Sequence, residues 1–133
     1  MSMTKVLISG ITGFVGSHMA DFLLKKKDIH VYGLKRWNLS RLRNIRHLLD
    51  HSRVTLLDCD ITDPIATRHV LEEIRPDKVF HFAAESFVSP SWLHPSHYMD
   101  VNFKGTVNLL DAIRQTKINP RFEGRPFSEI YRV

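Results

Sequence analysis

The segment Lys5-Val6-Leu7-Ile8-Ser9 runs directly into Gly10-Ile11-Thr12-Gly13-Phe14-Val15-Gly16, and Val15 to Lys26 then carries apolar residues at helical spacing. A buried strand, a glycine-rich turn and a helix in that order leave few folds open to the chain. In a βαβ unit of this kind Gly10 permits a tight exit from the strand. Gly13 lets backbone amides approach an anion, and Gly16 lets the helix pack closely on the strand. The unpaired N–H groups and the dipole of the helix N-terminus favour negative charge there without any catalytic side chain. The ligand this turn suits is the diphosphate of a dinucleotide, with Gly10, Thr12, Gly13, Phe14, Val15 and Gly16 as the expected contacts. The helical spacing places Val15, Met19, Phe22 and Leu23 on the inward face.

The rest of the chain repeats the alternation. His30 to Leu34 reads as a second strand, Leu39 to His51 as a basic helix and Val54 to Leu57 as a third strand. Asp63 before Pro64 is a helix-start signal, so Pro64 to Arg75 is predicted helical, with Ile65, Val70 and Ile74 inward. Asp77 to Phe82 supplies a fourth strand. A loop with Ser89-Pro90 and His94-Pro95 comes next, then a long helix from Ser96 to Thr116 through Val101, Leu109, Ala112 and Ile113. Strands alternating with helices imply right-handed crossovers and a parallel sheet covered on both faces, the doubly wound α/β arrangement of a Rossmann fold. Beyond Ile118, two prolines and a glycine in Asn119 to Pro126 are expected to break any strand or helix. The expected organisation is therefore the N-terminal part of a nucleotide-binding domain over residues 1–118 and an irregular tail over 119–133, with the sheet incomplete on its C-terminal side.

Composition narrows the class. At 133 residues, 43% hydrophobic and 25% charged, the chain has the make-up of an ordinary globular domain, without an apolar stretch long enough to span a bilayer. A cytoplasmic location, with no membrane partner, is the expectation. One cysteine, Cys59, excludes an internal disulfide and is read as a small packing residue. Between Lys25 and Arg53 stand nine Lys or Arg against Asp28 and Asp50. Such a patch suits a phosphate-bearing ligand, or is a solvated helix face. Nucleic-acid binding is disfavoured because the basic helix lacks interleaved aromatics, apart from Trp37 just ahead of it. His47 and His51 have the i, i+4 spacing of helix-borne metal ligands, yet no third ligand accompanies them, so no metal is expected. His81, inside a strand, is read as a hydrogen-bonded core residue rather than a base.

About 20 residues after the glycine turn, an acid would hold the ribose 2′-hydroxyl of NAD and a base would accept the 2′-phosphate of NADP. Lys35 and Arg36 stand there, with Arg41, Asn38 and Ser40 nearby, which favours NADP over NAD. The same cations also suit a solvated loop. Asp58, Cys59, Asp60 and Asp63 lie at the carboxyl edge of the sheet, where ligands bind in open α/β folds. Asp60 is a candidate acceptor for an adenine amine and Asp63 a helix cap.

The glycine turn, Asp60-Ile61, His81-Phe82-Ala83-Ala84-Glu85-Ser86 and Asn102-Phe103-Lys104-Gly105-Thr106 together make the chain, over about Lys5 to Ile118, similar to a known family. It resembles the extended short-chain dehydrogenases/reductases, the NAD(P)-dependent nucleotide-sugar epimerases and dehydratases. Lys35-Arg36, Ser86-Phe87-Val88 with Ser91-Trp92, and Asn102 through Ala112 look most like the GDP-mannose 4,6-dehydratase branch and the related 4-keto-6-deoxy-mannose reductases. The resemblance implies that Gly10, Gly13 and Gly16 line the diphosphate, Arg36 the adenosine phosphate and Asp60 with Ile61 the adenine. Ala83 and Ala84 would pass beneath the cofactor ribose, Glu85 and Ser86 would border the sugar pocket, and Asn102 would brace the backbone near the site. Glu85 and Ser86 also suit exposed loop positions without a ligand.

Members of this family move hydride between the sugar C4 and nicotinamide, with a tyrosine whose pKa is lowered by a lysine four residues on. Tyr32, Tyr98 and Tyr131 are the only tyrosines, and no lysine follows any of them by four. Ser128-Glu129-Ile130-Tyr131 is similar to the family's Ser-Ser-Glu-Glu-Tyr segment, but Glu123-Gly124-Arg125-Pro126 stands where an apolar strand should precede it. The expectation is a cofactor-binding portion without catalytic residues of its own, truncated before the catalytic pair and the sugar-binding domain. A reductase or epimerase of the same family, or a non-catalytic dinucleotide sensor, is compatible with the same residues. The long helix is a candidate surface for a homo-oligomer.

Overall fold

The computed structural model describes residues 2–36, 41–83 and 93–124. Among these residues five strands, β1 (Thr4–Ser9), β2 (Ile29–Lys35), β3 (Val54–Asp58), β4 (Lys78–His81) and β5 (Arg121–Gly124), form one sheet in the order β3-β2-β1-β4-β5. Every pairing is parallel. Among the described residues the helices are α1 (Phe14–Leu24), α2 (Pro64–Ile74), α3 (Pro95–Met99) and α4 (Gly105–Gln115), with a 3₁₀ turn at Arg43–Leu48. A π-helical turn, Asp100–Lys104, joins α3 to α4, so the expected long helix exists as one run with a widened turn in its middle.

Both faces of β1 are apolar because a parallel sheet is covered on both sides. The period of two sends Leu7 into one core with Val79, Val70, Leu71, Ile74, Leu109 and Ala112, beneath α2 and α4. Val6 and Ile8 enter a second core with Ile11, Ala20, Leu23, Val31, Ile45 and Leu48, beneath α1 and the 3₁₀ turn. Helix α2 starts as its sequence dictates: Oδ1 of Asp63 accepts the backbone N–H groups of Ile65 at 2.9 Å and Ala66 at 3.1 Å. It ends at Arg75, in the left-handed region at φ 51°, just before Pro76.

Four expectations need correction. The inward face of α1 is Gly16, Ser17, Ala20 and Leu23, whereas Val15 and Phe22 are exposed. Small residues win the inward face because they let the helix backbone lie close on the sheet end. Ile65 is exposed at 81% because it sits in the first turn of α2, ahead of the stripe that meets the core. The basic segment forms no long α-helix among its described residues, only a 3₁₀ turn, whose three-residue period puts Ile45 and Leu48 on one buried face. Finally, Arg121–Gly124 does pair with β4 despite its breakers, with Phe122 beside Val79. The edge position asks little of its local propensity, since only one side of it is hydrogen-bonded.

Candidate functional site: the glycine turn at the sheet switch point

The strand order reverses between β1 and β4, and the crevice outside their carboxyl ends is the position at which ligands bind in open α/β sheets. The glycine turn lies there. Gly10 has φ 72°, and a Cβ on it would stand 2.7 Å from the backbone nitrogen of Ala83. Gly16 is tighter: its Cβ would meet the carbonyl oxygen of Gly10 at 2.1 Å. Both glycines are therefore required by the protein's own packing. Gly13 is different. Its φ of −80° suits any residue, and a Cβ there would come no closer than 3.4 Å to any atom counted as a neighbour. The nearest is the Gly10 carbonyl oxygen, at ordinary van der Waals distance.

Gly13 is also the N-cap of α1; among the described residues no side chain caps this helix, and none in its first turn is acidic. Its leading N–H groups are thus left for a ligand or water. The turn is closed by Gly13 N–H donating to the Gly10 carbonyl at 3.1 Å, and by Asn44 Nδ2 donating to the Thr12 carbonyl at 3.0 Å. Phe14 is 73% exposed and packs its ring against His18. Ile11 is buried, seated over Gly33, where any Cβ would lie 2.4 Å from its Cδ1.

Beneath the turn runs a buried polar chain that no spacing in the sequence reveals. Ser9 Oγ accepts the N–H groups of Phe82 at 3.0 Å and Ala83 at 3.1 Å, so its single proton goes to His81 Nδ1 at 2.6 Å. His81 is then the Nε2–H tautomer, and donates to Thr106 Oγ1 at 2.9 Å. Thr106 in turn donates to the carbonyl of Asn102 at 2.8 Å, within the π-helical turn. Burial pushes the His81 imidazole down to about 4, so it is neutral. The reading of His81 as a hydrogen-bonded core residue holds, and the chain ties the end of β1, the start of the Phe82-Ala83 segment and the long helix together. Ala84, Glu85 and Ser86, as well as Asn38 and Ser40, lie outside the described residues.

The basic segment divides by role. Lys35 forms an ion pair with Asp58, its neighbour in register across β2 and β3. Arg53 donates to the carbonyls of Leu24, Lys26 and Ile29, fastening the end of α1 to β2. That structural duty was invisible in a simple count of charge. Arg36, half-buried, continues directly from Lys35. Oδ1 of Asp60 accepts both the N–H and the hydroxyl of Thr62. The Ile61 side chain is buried against Gly105, and its carbonyl accepts from Asn108. Cys59 is buried beside Thr67, and burial pushes its thiol up, as suits packing rather than reactivity. His47 faces Asp21 and His51 accepts the N–H of Arg53, so the two imidazoles serve separate partners. Among the described residues no group of three or more His, Cys, Asp or Glu could hold a metal, and no helix is long and apolar enough to cross a membrane.

A parallel 3-2-1-4-5 sheet with a glycine turn at its switch point defines a Rossmann-type unit. Residues 7–131 match the family model for GDP-mannose 4,6 dehydratase, and the chain belongs to that family. It is 36% identical to a GDP-mannose 4,6-dehydratase of Vibrio cholerae, over 96% of this chain and 36% of that protein. It is also 36% identical to GDP-mannose 4,6 dehydratase 1 of Arabidopsis thaliana, over 85% and 33%. Among solved structures it is similar to the UDP-Glc/GlcNAc 4-epimerase of Campylobacter jejuni, with a TM-score of 0.81 and 29% identity over 91% of this chain and 36% of that one. A Thermus thermophilus UDP-glucose 4-epimerase in complex with NAD gives 0.74 and 30%, over 87% and 35%. The chain thus spans about a third of the length of the proteins it matches.

Proposed function

We propose that this chain is the cofactor-binding part of an NADP-dependent nucleotide-sugar 4,6-dehydratase acting on GDP-mannose. The observation that carries the reading is the family match over residues 7–131, joined to an α1 whose N-cap is Gly13, where even a Cβ would meet no neighbouring atom closer than 3.4 Å. A diphosphate fits there: Phe14, Val15 and Gly16 would present their N–H groups, with Gly10, Thr12 and Gly13 shaping the turn. Arg36 is the residue for the 2′-phosphate, with Lys35 shared between that role and Asp58. Asp60 and Ile61 would border the adenine, the latter through its backbone because its side chain is buried. Ala83 and Ala84 would pass beneath the ribose, and Glu85 and Ser86 would meet the sugar. When bound, the cofactor supplies a hydride acceptor for the sugar C4. The sequence holds no Tyr-x-x-x-Lys, so the residues here bind and orient rather than transfer protons. Phe103, Val107 and Leu110, exposed along the long helix, are the surface through which a homo-oligomer would form.

The test is titration of the chain with NADP⁺ and NAD⁺. Tighter binding of NADP⁺, weakened by Arg36→Glu, is the expected result; equal binding by the variant sinks the 2′-phosphate assignment. GDP-mannose incubated with the chain and NADP⁺ is expected to yield no 4-keto sugar, and a product would overturn that part of the reading.

A further inference from the structure

We propose that Asn44 is a positioning residue that locks the backbone of the glycine turn in its anion-receiving orientation; the inference rests on the proposed binding of a dinucleotide at this turn. The peptide between Thr12 and Gly13 is held at both ends. Its N–H donates to the Gly10 carbonyl at 3.1 Å, and its C=O accepts from Asn44 Nδ2 at 3.0 Å. This plane needs holding because Gly13 has no Cβ of its own to restrict φ. A Cβ there would find no neighbouring atom closer than 3.4 Å, and glycine rotates into positive φ at little cost. A reversed plane would detach the N-cap of α1 from Gly10 and turn a carbonyl dipole where an N–H now points. The dipoles at the helix entrance are useful to an anion only if their direction is set before it arrives.

Asn44 is itself held firmly. It sits in the 3₁₀ turn whose Ile45 and Leu48 are buried in the same core as Ile11 of the glycine turn. Three residues on, His47 Nε2 meets Asp21 Oδ1 of α1 at 2.7 Å. The turn therefore grips the glycine loop and its helix at separate points. The Asn44 bond is exposed, so its loss costs the fold little, and its effect should fall on the ligand.

The experiment compares the unaltered chain with Asn44→Ala and Asn44→Asp, the second keeping the shape without the N–H donors. Three quantities are measured: NADP⁺ affinity by calorimetry, the urea midpoint, and amide exchange by NMR. Both variants are expected to bind NADP⁺ about fivefold more weakly, the effect of one exposed hydrogen bond. The urea midpoint should stay unchanged, and exchange should quicken at Gly13 but not at Leu23. Unchanged affinity overturns the proposal, and so does weaker binding accompanied by a lower midpoint and faster exchange throughout α1, which would mark a general structural role. Failure of the unaltered chain to bind NADP⁺ or NAD⁺ would overturn the cofactor reading itself, and the lock with it.

Discussion

The hydroxyl of Ser9, the last residue of β1, donates to Nδ1 of His81, the last residue of β4, across 2.6 Å and 72 positions of sequence. Two neighbouring parallel strands end in side chains that address each other, at the point where the sheet changes direction. Because Ser9 also receives the N–H groups of Phe82 and Ala83, the pair shapes the segment against which Gly10 packs. The neutrality of His81 is thus a condition for the geometry of the site.

That condition gives a pH dependence with a definite sign. His81 titrates at about 4 in the folded chain, against 6.5 for an unperturbed histidine. The unfolded chain therefore binds the extra proton first, and the stability His81 contributes is complete above pH 6.5 and is lost as pH falls toward 4. The loss is about 3 kcal/mol over that window. Urea midpoints at pH 7, 5.5 and 4.5 should fall more steeply for the unaltered chain than for His81→Gln, which has nothing to titrate there. Parallel slopes would refute the assignment.

The glycines of the turn should separate by role. Gly16→Ala drives a Cβ into the Gly10 carbonyl, and is expected to destabilise the chain by about 3 kcal/mol. Gly13→Ala meets no such obstacle and should alter stability by less than about 1 kcal/mol. Its methyl is added to the turn proposed to receive the diphosphate, so NADP⁺ affinity should fall at least tenfold, roughly 1.4 kcal/mol. Chemical denaturation and calorimetry on the two variants check both halves.

Lys35 and Asp58 make a third test. The pair is partly exposed, so breaking it should shift stability by less than about 1 kcal/mol. Asp58→Asn removes a negative charge beside the Lys35-Arg36 pair. The ratio of NADP⁺ to NAD⁺ affinity should rise about two- to fivefold at low salt and shrink as salt is added. A ratio indifferent to the substitution would place the 2′-phosphate elsewhere.

Local rules carried much of the architecture. The apolar run of β1, the glycine spacing and the Asp63-Pro64 start each express a restraint within a few residues, and each is found where the residues ask for it. What the periodicity of α1 misjudged shows the limit. Val15 and Phe22 are apolar at helical spacing, yet the sheet end selects the small face of Gly16, Ser17 and Ala20, a choice that depends on the distance between two backbones. The sequence by itself determined that a strand enters a glycine turn and opens a helix, because sterics and hydrogen bonding act there over short range. Only the tertiary structure decided which of those glycines its own atoms require, which charges of the basic segment are already engaged, and that Asn44 and His81 hold the turn from outside and from below. Those relations join residues 32 and 72 positions apart, and such distances close only when the sheet forms.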